Sequence, residues 1–419
     1  MLVGIDDTDS PRGMCTSYLG AVLVRRLERS GIRVLETRLI RLNPNVVYKT
    51  RGNAAVCIAA EGEPETAFAA ACGCVEDLAD LAAPETNPGV AVCTEPPPPA
   101  FYYRALRDFC EISEAIDLLD AIGALYRGYK NRRGLIGATA AAASVLPDAT
   151  YELLAYRRRE CLGTPRQVDR TSVFLADELT YPHTWDSVDR ANDVVVCVPH
   201  TPDPVLFGIR GESPEWVRRA REYIRSEEPL CEQVFRTNQG TDAHLMQGGI
   251  GGLLEGRSYA VRGTVAGRPE TGPGGHVSVV IAGASGTARC MAYEPTKGFR
   301  DVVRALLPGD EVVAVGSYKG GSINLEKICV GRLATVPAVR PPLCVACGRR
   351  MTSAGRGKGY KCRICRMRAR EPEYVYPERS LRPGWYEVPP SARRHLAKPL
   401  VRGDPPWCRT GGGGISFLS

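Results

Sequence analysis

Two Cys-x-x-Cys pairs, Cys344-Val-Ala-Cys347 and Cys362-Arg-Ile-Cys365, stand 14 residues apart in a chain of 419. Thiolate pairs on turns at this spacing complete a tetrahedral zinc shell, and four thiolates leave no position for a catalytic water. A small ribbon held by a structural zinc is therefore expected here, with any chemistry elsewhere. Lys358, Lys361, Arg363, Arg366 and Arg368 crowd the same segment. From Arg340 to Ser419 there are 17 Lys and Arg against 5 Asp and Glu, a net +12 in a chain whose total is +7, so the first 339 residues carry −5. A basic ribbon on a mildly acidic body suits phosphate contacts with a polyanion. A ribbon that docks another protein is the plainer alternative.

At this length about three domains are expected. Met1–Ile5 reads as a buried strand running into the polar turn Asp6-Asp7-Thr8-Asp9-Ser10, and a helix-spaced apolar pattern follows Gly13 with Thr16 near its first turn. Strands at 34–42, 54–59 and 89–93 alternate with helices near 65–81 and within 101–125, which makes residues 1–133 one α/β domain. A second αβ unit spans 134–252, with an Ala-rich helix to Leu146, strands near 151–156 and 194–197, and a helix within 214–225. Five alternating runs at 258–265, 276–281, 288–293, 311–318 and 323–329, with one helical stretch before the fourth, make 253–336 an OB-type barrel. Residues 337–419 are the ribbon and a Pro-rich tail beyond Arg370, ending in Gly411–Gly414, that is expected to order only on a partner. The longest apolar run, Leu135–Leu146, is about 12 residues against the roughly 20 that span a bilayer, and the start of the chain shows no cleavable leader. A cytoplasmic protein is expected, with its other cysteines as reduced thiols and Cys57, Cys93 and Cys197 filling cores.

Asp6, Asp7 and Asp9 are three carboxylates crowded at a strand end, an arrangement that repels itself unless a cation neutralises it; Mg2+ carrying phosphates suits them. A solvated acidic turn capping the next helix is the alternative. Gly13 and the amides near Thr16 could take phosphate oxygens, and the Thr16 hydroxyl could accept a phosphoryl group. Lys49-Thr-Arg51-Gly52 and Lys130-Asn-Arg-Arg133-Gly134 are basic-glycine turns that match no Walker loop, and they gain meaning only beside the aspartates. With Gly13 they make an ATP-binding set of Gly13, Lys49, Arg51, Lys130, Arg133 and Gly134. The polar runs Pro202–Gly211 and Arg236–His244 are candidate pocket loops; His244 has no visible partner and is assigned no catalytic role.

The ordered set GIDDTDS, RGMCTSYL, NPNVVYKTRGNAAV, RRGLIGA, PDPVLFGIRG, RTNQGTDAHL and the double Cys-x-x-Cys, covering nearly the whole chain, resembles the archaeal tRNA(Ile) 2-agmatinylcytidine synthetase (TiaS) family. The resemblance implies a multidomain α+β protein: an α/β kinase-like N-terminal domain, a ferredoxin-like domain, an OB-fold and a C-terminal zinc ribbon. It implies a ligase that joins agmatine to C2 of the first anticodon cytidine of an isoleucine tRNA reading CAU, with ATP consumed to AMP and two phosphates. By the same resemblance Asp6, Asp7 and Asp9 hold magnesium on ATP, Thr16 becomes autophosphorylated, and the ribbon's basic residues bind RNA. The agmatine guanidinium needs carboxylates, for which Asp203 and Asp242 are expected. Two other readings stay open: a tRNA-binding module without catalysis, and a magnesium-dependent kinase of another substrate.

Overall fold

The opening apolar run forms a strand buried on both faces because helices cover it from both sides. In the computed structural model, which describes residues 1–376, 378–411 and 414–417, β1 (Leu2–Asp6) puts Val3 and Ile5 against α1 (Thr16–Arg29) and α2 (Pro64–Leu78). Gly4 faces the opposite side, where a Cβ would meet the Ala138 carbonyl oxygen at 2.2 Å. That contact belongs to α5 (Gly134–Ala142), which lies flat on the sheet with α3 (Pro99–Arg107) and α4 (Ile112–Ala121). Flanking β1 are β2 (Arg33–Arg41), β3 (Ala54–Glu61), β4 (Gly89–Cys93) and β5 (Leu125–Gly128), all antiparallel, in the order β5-β4-β1-β3-β2.

The sheet does not stop at β2. β6 (Thr150–Tyr156), β7 (Thr184–Trp185), β10 (Val205–Gly211) and β11 (Cys231–Thr237) extend it to nine strands through β11, which runs parallel to β2. α6 (Arg170–Thr180) and α7 (Pro214–Tyr223) pack over the extension. The expected strand at 194–197 is instead half of a small hairpin, β8 (Val188–Asp189) with β9 (Val194–Val195), off the main sheet. The expected Ala-rich helix is α5, and its contacts are with β1, β3 and β4 of the N-terminal half.

After β12 (Leu245–Gln247), the strands β13 (Arg257–Val265), β15 (Val277–Gly283), β16 (Gly286–Ala292), β17 (Glu311–Lys319) and β18 (Ser322–Arg332) close a five-stranded barrel through the β13–β15 pairing, with the short β14 (Glu270–Thr271) beside β15. Helix α8 (Phe299–Arg304) sits between β16 and β17, where the sequence placed a helix, and buries Phe299 and Val303 in the barrel core. The ribbon follows as a three-stranded sheet of Thr352–Ser353, Tyr360–Lys361 and Arg368–Ala369.

The segment beyond the ribbon corrects the expectation of a tail that orders on a partner. Gly384–Glu387 adds a strand to β18, and Leu381 and Val388 enter the barrel core. Leu396 joins the core beneath α3–α5, and Arg402 ties down the chain on Glu212 (2.7 Å) and Asp148 (2.9 Å). The apolar anchors are spaced among prolines and arginines with no helix or strand period, so no pattern announced them. Gly412 and Gly413, within the expected glycine-rich end, lie outside the described residues. Reduced thiols are corrected at one pair: Cys329 of β18 and Cys408 are bonded, their Cα atoms 6.8 Å apart across 79 residues of sequence. Cys57, Cys93 and Cys197 are buried thiols, as expected. Among the described residues no helix is long and apolar enough to cross a membrane.

Candidate active site and metal centre

The turn after β1 carries its aspartates to the start of α1. Cys15 caps that helix, its Sγ accepting from the Tyr18 amide, so Thr16 is its first residue, as the spacing predicted. Asp9 Oδ1 accepts from the Thr16 amide (2.7 Å) and hydroxyl (3.1 Å), and the hydroxyl in turn accepts from the Thr8 hydroxyl at 3.0 Å. Arg51 Nη2 lies 3.2 Å from Asp9 Oδ2, and Arg133 Nη2 2.9 Å from Asp7 Oδ2. Asp7 takes the left-handed conformation (φ 56°), which turns the chain between the strand and the loop. Asp6 is seated against Gly137, where a Cβ would overlap the carboxylate at 1.8 Å, so the second glycine of RRGLIGA makes room for Asp6.

Burial raises all three carboxyls. For Asp6 it is reinforced by Asp7 and Asp9 and lifts the group well above its ordinary range; Asp7 is pushed up to about 7 against the pull of Arg133; Asp9 rises against Arg51 and Thr16. The cluster is short of positive charge. All three line one cavity without forming a close ligand cluster, and among the described residues only the four cysteines converge as a direct ligand cage. Such an arrangement fits a hard cation that keeps waters and takes only one or two carboxylates.

A cavity of about 280 Å³ is lined by Asp6, Asp7, Asp9 and Thr16 together with Phe109, Cys110 and Glu111. Three of the six residues expected to bind ATP line it: Lys49, Arg51 and Arg133. The other three are placed elsewhere. Gly13 (φ 140°) faces the Pro202 carbonyl oxygen, which a Cβ would meet at 2.8 Å. Lys130 donates to the carbonyls of Thr86 (2.8 Å) and Ala83. The Gly134 amide donates to the Asn87 carbonyl (3.0 Å), and its α-carbon packs against Gly89. Glycine there serves helix–strand contact, a use that a basic-glycine pattern does not distinguish from phosphate binding. The sequence reading missed the exposed aromatics Tyr48 and Phe109 at this cavity, with Arg133 stacked 5.5 Å over the Tyr48 ring.

Beyond Thr16, between β2 and β10, opens a second cavity of about 580 Å³ that holds Thr16, Arg41, Arg51, Glu152, Asp203, Arg210 and His395. Asp203 lines this cavity, where it also accepts from the Val205 amide (2.9 Å) and lies 3.5 Å from Arg166. Asp242 is a correction. Both its oxygens take Lys327 Nζ (2.6 and 2.7 Å), one also accepts from the Lys398 amide, and the residue is no part of the cavity. It bolts the second unit to the barrel.

Glu152, Arg41, Arg210 and His395 were not foreseen, since each is one polar residue on an ordinary strand or loop. Glu152 accepts from Gln239 Nε2 (2.5 Å) and Arg210 Nε (3.2 Å). His395 Nδ1 faces Arg210 Nη2 at 2.5 Å, and a guanidinium only donates, so Nδ1 accepts and Nε2 carries the proton. Burial, then Arg41, Arg210 and Lys49, hold this imidazole well below its usual range, in its neutral form.

The four cysteine Sγ atoms lie within 4.8 Å of one another, the dimensions of a zinc thiolate cage. Two matching turns present them: the Gly348 amide donates to the Cys344 carbonyl and the Arg366 amide to that of Cys362, with Gly348 (φ 68°) and Arg366 (φ 57°) both left-handed. Lys358, Lys361, Arg363, Arg366 and Arg368 are all exposed around it.

Residues 2–131 match the family model described as the TiaS TCKD domain, 132–244 the TiaS FLD domain and 341–381 the TiaS C-terminal zinc ribbon domain. The chain belongs to the TiaS family. A TiaS relative from Methanocorpusculum labreanum, an isoleucine-tRNA 2-agmatinylcytidine synthetase, is 52% identical over 404 residues covering 96% of this chain and 97% of its own. The crystal structure of a TiaS complex with its isoleucine tRNA and ATP aligns with a TM-score of 0.89 at 44% identity, covering 97% of this chain and 98% of the other. That of TiaS with the same tRNA, AMPCPP and agmatine aligns at 0.87 and 41%, with the same coverage.

Proposed function

We propose that this chain is an ATP-dependent ligase that attaches agmatine to C2 of the first anticodon cytidine of a CAU-reading isoleucine tRNA, giving 2-agmatinylcytidine, with ATP consumed to AMP and two phosphates. Full-length membership of the TiaS family, together with TiaS structures holding an isoleucine tRNA, ATP and agmatine, carries the reading. The C2 oxygen of cytosine is a poor leaving group. Phosphorylating it lets the agmatine amine attack C2 while the C2–O bond breaks and its electron pair leaves with phosphate.

The residues divide this work by position. The first cavity takes ATP: Tyr48 and Phe109 offer ring faces for the adenine, and Lys49, Arg51 and Arg133 offer donors for the phosphates. Asp6 and Asp7 would hold Mg2+, which would neutralise phosphate charge, while Asp9, expected with them, is engaged by Thr16 and Arg51. Asp9 fixes the Thr16 hydroxyl as an acceptor for a phosphoryl group and takes up its proton, by the hydrogen bond already present. The second cavity takes the flipped cytidine and agmatine, with Asp203 and the buried Glu152 as anionic partners for the guanidinium. Residues 1–133 act as the kinase-like domain, 134–252 as the ferredoxin-like domain, 253–336 as an OB-fold and 337–419 as the ribbon and its packed extension. Lys358, Lys361, Arg363, Arg366 and Arg368 grip RNA phosphates.

The test is AMP formation from ATP with Mg2+, in the presence and absence of tRNA and agmatine. A ligase forms AMP in step with agmatine consumed; a binding module forms none, and a kinase of another substrate yields ADP.

A further inference from the structure

Arg41, Lys49, Lys319, Arg394 and His395 line a cavity of about 260 Å³ without a single carboxylate in its wall. They come from three parts of the fold: β2 and the loop after it, the end of barrel strand β17, and the segment beyond the ribbon. Gly52 lines this cavity and both active-site cavities, so the three meet there. Compensation of the positive charge is partial. Arg394 Nη1 is held by Asn45 and Ser317 with Glu326 at 3.7 Å, and Arg41 Nη2 is 3.9 Å from Glu152. Lys49 donates to the Pro44 carbonyl, and the Lys319 ammonium has no hydrogen bond or ion pair among the described residues. Burial and the neighbouring Arg394 and Lys319 push the Lys49 ammonium below its ordinary range, the mark of cations held together without an anion.

We infer that this cavity is a phosphate-binding subsite, seating the backbone phosphate next to the cytidine that enters the second cavity. A cytidine drawn out of an anticodon loop brings its flanking phosphates with it. A concave cationic wall opening at Gly52 onto Thr16 holds one such phosphate and sets how deep the base goes. The His395 Nε2–H, beside Gly52, supplies a directed donor. The inference rests on tRNA being the substrate. Inorganic phosphate from ATP turnover has the same chemistry and is the other source the test distinguishes.

Lys319 is exposed at a strand end, so Lys319→Gln tests the subsite without disturbing a core. Affinity for the isoleucine tRNA is measured between about 50 and 200 mM salt for the full-length protein, Lys319→Gln, Lys319→Arg and Lys319→Gln/Arg394→Gln. A backbone phosphate predicts several-fold weaker binding at low salt, a slope of log affinity against log salt reduced by roughly 0.7 per cation removed, and full recovery in Lys319→Arg. If free phosphate is the occupant, the slope stays while inhibition of AMP formation by added phosphate weakens in Lys319→Gln. Unchanged slope and unchanged phosphate inhibition overturn the subsite. If the parent protein binds tRNA but attaches no agmatine, the functional reading fails while the slope still decides the subsite.

Discussion

Asp9 and Thr16 hold each other at the start of α1: one carboxylate oxygen accepts both the backbone amide and the side-chain hydroxyl of the threonine. The same bond caps the helix and aligns the hydroxyl, so its structural and chemical roles can be separated only by substitution. Thr16→Val keeps the amide bond and removes the hydroxyl. It is expected to cost about 1–3 kcal/mol of stability, because Thr8 and Asp9 lose a buried partner, and to abolish agmatine transfer, while Thr16→Ser retains both. Thermal unfolding and label transfer on the same preparations check this.

Asp7→Asn removes one of the carboxylates assigned to Mg2+ and the partner of Arg133. Product formation is expected to vanish while tRNA affinity changes little, because the side chain lines the first cavity and not the ribbon. Turnover retained at the parental rate would refute its assignment to the metal.

Asp203 and Asp242 were expected to act alike and occupy different settings. Asp242→Ala strands the buried Lys327 ammonium and is expected to cost about 3–5 kcal/mol, with the KM for agmatine unchanged in the protein that remains folded. Asp203→Asn, which keeps one oxygen for the Val205 amide and weakens the contact with Arg166, is expected to raise that KM at a smaller cost of about 1–3 kcal/mol. The two substitutions compared by KM and by thermal unfolding decide between a pocket role and a bolt.

What the sequence disclosed and what it hid follow a physical rule. Asp6, Asp7, Asp9 and Thr16 are legible because they cluster within one strand–turn–helix, where an apolar run breaks into acids. The five barrel strands are legible because each is a short apolar-rich run set off by glycines and polar turns, and the zinc cage because its ligands come in spaced pairs. Glu152, Arg210, Arg41 and His395 converge only when β2, β6, β10 and the last segment meet, and no local pattern encodes that meeting. β11 was missed because Glu232, Gln233 and Arg236 break its apolar run although it joins the two halves of the sheet. α6 was missed because Leu175 and Leu179 lie on its exposed face and blur the apolar stripe.

His244, given no role by its sequence, sits with Nε2 3.2 Å from Glu326 Oε2 at the junction of second unit and barrel, both side chains buried. Burial alone would raise the Glu326 carboxyl, but His244, then Arg394 and Lys327, bring it down to about 2. A carboxyl whose pKa is depressed in the folded state adds stability that is present above its unfolded value and lost as pH falls through the folded one. Stability is therefore expected to drop between about pH 4.5 and 2, and His244→Leu, which takes away that carboxylate's hydrogen-bond partner and leaves only Arg394 and Lys327 to offset its charge, is expected to unfold earlier at neutral pH.

Cys344→Ser opens the zinc cage. Bound zinc is expected to fall away and tRNA affinity to drop, while ATP turnover persists. Metal content by mass spectrometry beside both activities checks the separation, and equal loss of the two would end it.

The most direct test of the account is incorporation of labelled agmatine into an unmodified CAU-anticodon isoleucine tRNA transcript, with ATP and Mg2+, beside a methionine tRNA carrying the same anticodon. The account predicts label on the isoleucine tRNA alone, matched by AMP. Binding of that tRNA with no label transferred and no AMP formed would contradict it.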